Sequence, residues 1–154
     1  MPQDPVISSG NLIPGITFPS AVIQTPTFTP KMTTLAAAVT LTTGQSGTIF
    51  LLNLAGGFTV TLPVLTFGLF YRFVAKTAPT TAYIIASNEA SKIVGAAFGA
   101  DGGAQDSQTT LGASSIQFKA NVAVIGDSCD LWCDGAAWYG RAYCAAAGGC
   151  TYTG

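Results

Sequence analysis

From about Thr33 the chain is built of short β-rich runs, each closed by glycine-bearing turn residues, at a spacing near ten residues. "LAAAVTLTT" leads to "GQSG", then "TIFLLNL", "AGG", "FTVTLPV", "TFG" and "LFYRFVAK". That rhythm predicts the strands of an antiparallel sandwich or barrel. In "FTVTLPV", Phe58, Val60 and Leu62 fall on one face and Thr59 and Thr61 on the other. In "LFYRFVAK", Phe70, Arg72 and Val74 oppose Tyr71, Phe73 and Ala75, so both faces of that strand are expected to be partly covered. "TAYIIAS", "SKIVGAAF", "SSIQFKAN" and "VAVIGD" continue the pattern, and "GADGGAQDSQTT" (99–110) is expected to be the one long polar loop. No segment keeps a helical period beyond a turn or so. The expected body, residues 33–154, is all-β: an antiparallel β-sandwich or a jelly-roll-like barrel, ending in a cysteine-rich hairpin and tail.

The first 32 residues have a different texture. Six of the eight prolines lie there: Pro2, Pro5, Pro14, Pro19, Pro26 and Pro30. Proline fixes φ and removes a donor, so residues 1–32 are expected to form an extended arm with polyproline-like stretches. Between the prolines sit Leu12, Ile13, Ile16, Phe18, Val22, Ile23 and Phe28. A disordered linker is normally poor in such residues. They are candidates for docking, either back on the chain's own body or, the reading preferred here, on neighbouring subunits.

Composition supports burial in an assembly. Hydrophobic residues make up 49% of the chain and charged residues 8%, with a net charge of -1. An ordinary globular protein is about 25% charged. A free chain with so little charge tends to associate. The basic residues Lys31, Arg72, Lys76, Lys92, Lys119 and Arg141 are scattered, so no stripe exists to displace counterions from nucleic acid, and no basic face suits a membrane surface. "MPQDPVISSG" lacks the features of a signal peptide. The uncharged stretch 32–71 holds Asn53, Gly56, Gly57, Pro63 and many threonines, which argues against a spanning helix.

The order of pieces resembles the β-rich virion proteins of tailed bacteriophages. The resemblance rests on Gly47 to Phe50, Val60 to Pro63, Gly68, Phe70 to Phe73, Gly126 and Asp127, Leu131, Asp134 and Gly135, and Trp138 and Tyr139, and covers roughly residues 45 to 140. Such domains occur in capsid decoration (cement) proteins and in tail fibres or spikes. The resemblance implies a structural protein, made in the host cytoplasm and carried on the outer capsid surface. It would bind the major capsid protein lattice as a homotrimer and bridge neighbouring capsomers. The arm suits that task, since it adds contact area without enlarging the body and can complete a neighbour's sheet edge. The alternative is a tail fibre or spike module that binds a host glycan through Trp132, Trp138, Tyr139 and Tyr143.

Candidate chemistry is sparse. The chain has no histidine, which excludes Ser-His-Asp and Cys-His catalysis and His-bearing zinc sites. Asp101 and Asp106 sit in the polar loop, where "DGGAQD" offers some oxygen ligands for calcium, and Asp127, Asp130 and Asp134 flank the C-terminal hairpin. Asp is a natural turn residue, and nothing places a carboxylate pair across a cleft. No enzyme activity, cofactor or metal is expected. The cysteines are Cys129, Cys133, Cys144 and Cys150. With strands at about 128–133 and 138–144 joined by "DGAA", Cys129 falls near Cys144, and a returning tail would bring Cys150 to Cys133. Free buried thiols and a four-thiolate zinc site remain as alternatives.

Overall fold

The computed structural model describes residues 29–100 and 107–154, together with two short strands, β1 (Asn11–Ile13) and β2 (Ile16–Thr17). β1 and β2 pair antiparallel, so this part of the arm forms a small hairpin instead of an open ribbon. Leu12, Ile13 and Ile16 belong to it. The arm positions Phe18, Val22, Ile23 and Phe28 lie outside the described residues.

The body is an all-β sandwich and not a closed barrel. Its first six strands are β3 (Lys31–Leu35), β4 (Val39–Thr40), β5 (Thr48–Leu52), β6 (Thr59–Thr61), β7 (Phe70–Ala75) and β8 (Tyr83–Ala86). Then follow β9 (Ile93–Gly99), β10 (Ser107–Ala113), β11 (Ser115–Phe118), β12 (Ser128–Cys133), β13 (Trp138–Cys144) and β14 (Cys150–Thr153). One sheet has seven strands in the order β10-β9-β13-β12-β7-β5-β3; the other has five, β14-β11-β8-β6-β4.

The sheets are mixed, which corrects the antiparallel expectation. From β3 to β8 the chain changes sheet at every turn, so next-but-one strands pair parallel: β3 with β5 and β5 with β7 on one side, β4 with β6 and β6 with β8 on the other. The glycine turns are therefore arches across the roughly 10 Å between sheets, not hairpins across the roughly 4.8 Å between strands. Hairpin pairing enters later, with β9–β10 and β12–β13, and a further parallel pair joins β13 to β9.

Two more expectations change. "VAVIGD" is a turn segment instead of a strand, because Asp127 closes it: the Val124 N–H donates to Asp127 Oδ2 at 2.9 Å and the Ala145 N–H to Oδ1 at 2.8 Å. The polar stretch 99–110 is partly strand, since Gly99 ends β9 and Ser107 opens β10.

The core forms as the alternation predicted. Val60 and Leu62 are buried, as are Tyr71, Phe73 and Ala75 of β7, while Arg72 is exposed. Phe50 lies 5.6 Å from Phe73 and 6.2 Å from Tyr71, ring centre to ring centre. The two buried tyrosines satisfy their hydroxyls on loop backbone: Tyr71 donates to the Thr42 carbonyl at 2.9 Å and Tyr83 to the Thr77 carbonyl at 3.0 Å. They thus pin the arches while filling the core.

Close approach fixes one further detail. Gly95 and Gly140 are register partners in the parallel β9–β13 pair. A Cβ on Gly95 would stand 1.9 Å from the Gly140 carbonyl oxygen, and a Cβ on either glycine 2.8 Å from the Tyr152 hydroxyl. The missing side chains let Tyr152, from the five-stranded sheet, reach across and donate to the Ala96 carbonyl at 3.3 Å. Burial raises the Tyr152 pKa, and Cys129 adds to the effect, so the hydroxyl keeps its proton.

Candidate functional site

The outer face of the seven-stranded sheet carries three transverse rows, because register partners on adjacent strands point the same way. The first runs Phe70, Trp132, Tyr139, Val94. The second runs Met32, Ile49, Arg72, Asp130, Arg141, Ala96. The third runs Thr34, Leu51, Val74, Ser128, Tyr143, Phe98. The face is thus mostly apolar, with aromatic rows on either side of one charged row.

The charges of the middle row are largely matched within it. Arg72 binds Asp130 through both ends of its guanidinium, Nε to Oδ1 at 2.5 Å and Nη2 to Oδ2 at 2.6 Å. That hydrogen-bonded pairing raises the Arg72 pKa still further. Asp130 is nearly buried beneath its neighbours. Arg141, on the other side of Asp130, is exposed and makes no ion pair among the described residues.

Over β12, β13 and β9 this face is hollowed into a groove of about 580 Å³. Val94, Ala96, Phe98, Trp132, Tyr139 and Arg141 line it, with Gly95 and Gly140 beneath. Trp132 is 41% exposed and Tyr139 47%. Trp132 leans on Phe70 with ring centres 5.6 Å apart, and Phe98 stacks on Tyr143 at 5.7 Å. The Tyr139 hydroxyl donates to Asp134 Oδ2 at 3.0 Å. The N–H groups of Ala136 and Ala137 also donate to Asp134, both at 2.8 Å, and these bonds hold its carboxyl below the usual range. Asp134 thereby builds the hairpin turn, with Gly135 at φ 90°, and keeps the Tyr139 ring at the groove wall.

The hairpin itself falls where the sequence put it, with Leu131 facing inward beside Cys129 and Cys133 and Trp132 outward. Trp138, however, is fully buried against Tyr71, so it cannot take part in a surface platform as the glycan alternative supposed. The sequence missed Val94, Ala96, Phe98 and Arg141 as groove residues. Their only local signal is alternation within β9 and β13. That these strands are neighbours is a long-range fact.

The cysteine pairing is corrected. Cys144 is bonded to Cys150, with Cα atoms 6.1 Å apart, and Cys129 and Cys133 are free and buried. Register explains this. Cys129 stands opposite Ala142, so Cys144 is two residues further along β13, a diagonal of about 7 Å that is too long for a disulfide. Cys133 stands opposite Trp138, six residues and on the order of 20 Å from the Cys144 end. The tail does return, as β14, but to the Cys144 end. The bond joins the last residue of β13, in one sheet, to the first of β14, in the other. The four cysteines therefore do not converge on a zinc ion. The grouping that does form is Asp127, Cys144 and Cys150, with its two sulfurs already joined and both Asp127 oxygens accepting backbone N–H groups. Burial, with Asp130 next to it, pushes the Cys129 thiol up, so it stays protonated and behaves as a small apolar side chain.

The described aspartates hold separate structural posts: Asp127 closes a loop, Asp130 pairs with Arg72 and Asp134 builds a turn. Asp101 and Asp106, with the "DGGAQD" stretch, lie outside the described residues. Among the described residues, no helix is long and apolar enough to cross a membrane. Comparison with family models, curated proteins and solved structures found no match.

Proposed function

We propose that this chain is a structural virion protein that decorates the outer face of a tailed-bacteriophage capsid. It binds the major capsid protein lattice, as a homotrimer, and bridges neighbouring capsomers through residues 1–32. It is made in the host cytoplasm and works without enzymatic chemistry.

One observation carries the reading. The end of the sandwich from which the arm departs is also an apolar, aromatic end. β3, β5 and β7 run parallel, so Lys31 starts its strand at the same end as Phe70 and the β12–β13 turn. Thr29 and Pro30 are exposed at that end, and Phe67, beside Gly135 of the β12–β13 turn, is 82% exposed; Trp132 and Tyr139 are part exposed further across the sheet. A chain with 8% charged residues gains by burying such a surface on a lattice, at roughly 25 cal/mol per Å² before ordering costs. The turn glycines of the phage-like pattern, Gly47, Gly68, Gly126 and Gly135, all have positive φ, the backbone that glycine-bearing turns require. The test is deletion of residues 2–30. A folded body that no longer stays on capsids is the expected result, and full capsid occupancy would refute the reading.

The groove favours a second reading, a tail fibre or spike module that stacks a host glycan on Trp132 and Tyr139. Binding of the purified protein to host cells, lost in Trp132→Ser, would replace the first reading with this one.

A further inference from the structure

We infer that the groove over β12, β13 and β9 receives residues 18–28 of a second copy of this chain. The inference rests on the arm reading above and names where the arm lands.

The described start of β3 is compatible with an arm that passes to a neighbour. Pro30 keeps Thr29 in the extended region, since αR would clash with the proline ring. Both residues are exposed at the start of β3. An extended, exposed Thr29–Pro30 at the end of the sandwich leaves the way open for the arm to pass outward to a neighbouring body. β3 is also the edge strand furthest from the groove, with β5 and β7 between it and β12. Residues 18–28 at about 3.1 Å per residue reach on the order of 34 Å, enough to cross to a neighbouring body.

The chemistry of segment and groove agrees. "FPSAVIQTPTF" has no charge, two prolines and an aromatic residue at each end. Proline-rich segments dock in aromatic-lined grooves because their backbone is already extended and loses little freedom on binding. Trp132, Tyr139 and Phe98 supply the aromatic walls, and Val94 and Ala96 an apolar floor. A polyproline-like ligand makes no internal hydrogen bonds, so its carbonyls face outward and need donors. Arg141 supplies them: its guanidinium has five N–H groups and no ion pair among the described residues. A sugar would need several polar partners around its hydroxyls, and this lining offers little beyond Arg141 and the tyrosine hydroxyl. The contact is heterologous, arm of one copy to groove of the next, so it closes into a ring when the rotation allows.

The test uses full-length chains in sedimentation velocity over a concentration series. A groove variant carries Trp132→Ser with Tyr139→Ser, and an arm variant carries Phe18→Ser with Phe28→Ser. Circular dichroism checks that each folds. Arg141→Gln, which leaves the aromatic walls intact, serves as a milder groove variant. The wild-type chain is expected to associate. The groove and arm variants are expected to associate at least tenfold more weakly, and Arg141→Gln to be measurably weakened. An equimolar mixture of groove and arm variants is expected to form one-to-one pairs, because one intact arm then meets one intact groove. Wild-type-like association of the groove variant, or a mixture that stays monomeric, overturns the inference. So does a monomeric wild-type chain in which Phe18 and Phe28 shield Trp132 from a quencher, which would place the arm on its own body. Glycan binding that needs Trp132 while association is unaffected overturns it in favour of a sugar. Capsid occupancy is scored separately: a non-associating variant that still fills capsids removes this inference and leaves decoration standing, and a self-associating chain that ignores capsids does the reverse.

Discussion

Reduction of the Cys144–Cys150 bond tests how the two sheets are tied. The bond closes a short loop, with a sequence separation of 6. Chain-entropy reasoning gives about 2 kcal/mol for a loop of that length, against about 3 kcal/mol for the roughly 15-residue loop that a Cys129–Cys144 bond would close. For a domain of this size about 2 kcal/mol corresponds to a fall in Tm of roughly 4–8 °C. The loss should be local at first. β14 is an edge strand held by β11 and by this bond, and Tyr152 under Gly95 and Gly140 depends on its placement. The assay is thermal unfolding with and without a thiol reductant, paired with mass spectrometry of protein alkylated after unfolding without reductant. The expected result is a Tm several degrees lower in reductant, labelling of Cys129 and Cys133, and an intact cross-linked peptide holding Cys144 and Cys150. An unchanged Tm with four labelled thiols, or a cross-link between Cys129 and Cys144, would refute the register argument.

Three further outcomes follow from the same geometry. Gly95→Ala should destabilise the protein by about 2 kcal/mol or more in urea unfolding, because its Cβ meets backbone, whereas Gly56→Ala, with nothing within 4 Å, should stay within about 0.5 kcal/mol. Trp132 should be quenched by acrylamide and Trp138 should not, so Trp132→Phe should leave a protein whose remaining emission is shielded; an accessible remaining tryptophan would mean the hairpin is inverted. The Asp134 carboxyl should titrate below the usual carboxylate range by NMR; since its pKa is depressed in the folded state, its contribution to the turn is present at neutral pH and is lost as pH falls through that lowered value, and a normal or raised midpoint would remove the role assigned to its three hydrogen bonds.

The sequence by itself determined the local code. Alternation in "FTVTLPV" and "LFYRFVAK" set which side chains face the core, because successive residues of a strand point to opposite sides whatever the strand pairs with. The hairpin 128–133 and 138–144 was legible for the same reason, with Asp134 and Gly135 marking its turn. Composition and the absence of histidine narrowed the chemistry without any coordinates. Tertiary structure decided what each turn connects. A glycine-bearing turn that crosses to the opposite sheet and one that returns beside its own strand draw on the same residue types, so the arches from β3 to β8, and the parallel pairs they generate, have no local signature. The disulfide followed from pairing register, where a two-residue offset separates Cys129 from Cys144 and the placement of β14 delivers Cys150 instead. The groove is non-local as well: Trp132 and Tyr139 are hairpin partners, but Val94 and Phe98 join them only because β9 lies parallel beside β13, an arrangement fixed by the packing of the whole sandwich, including the glycine pair that lets Tyr152 through.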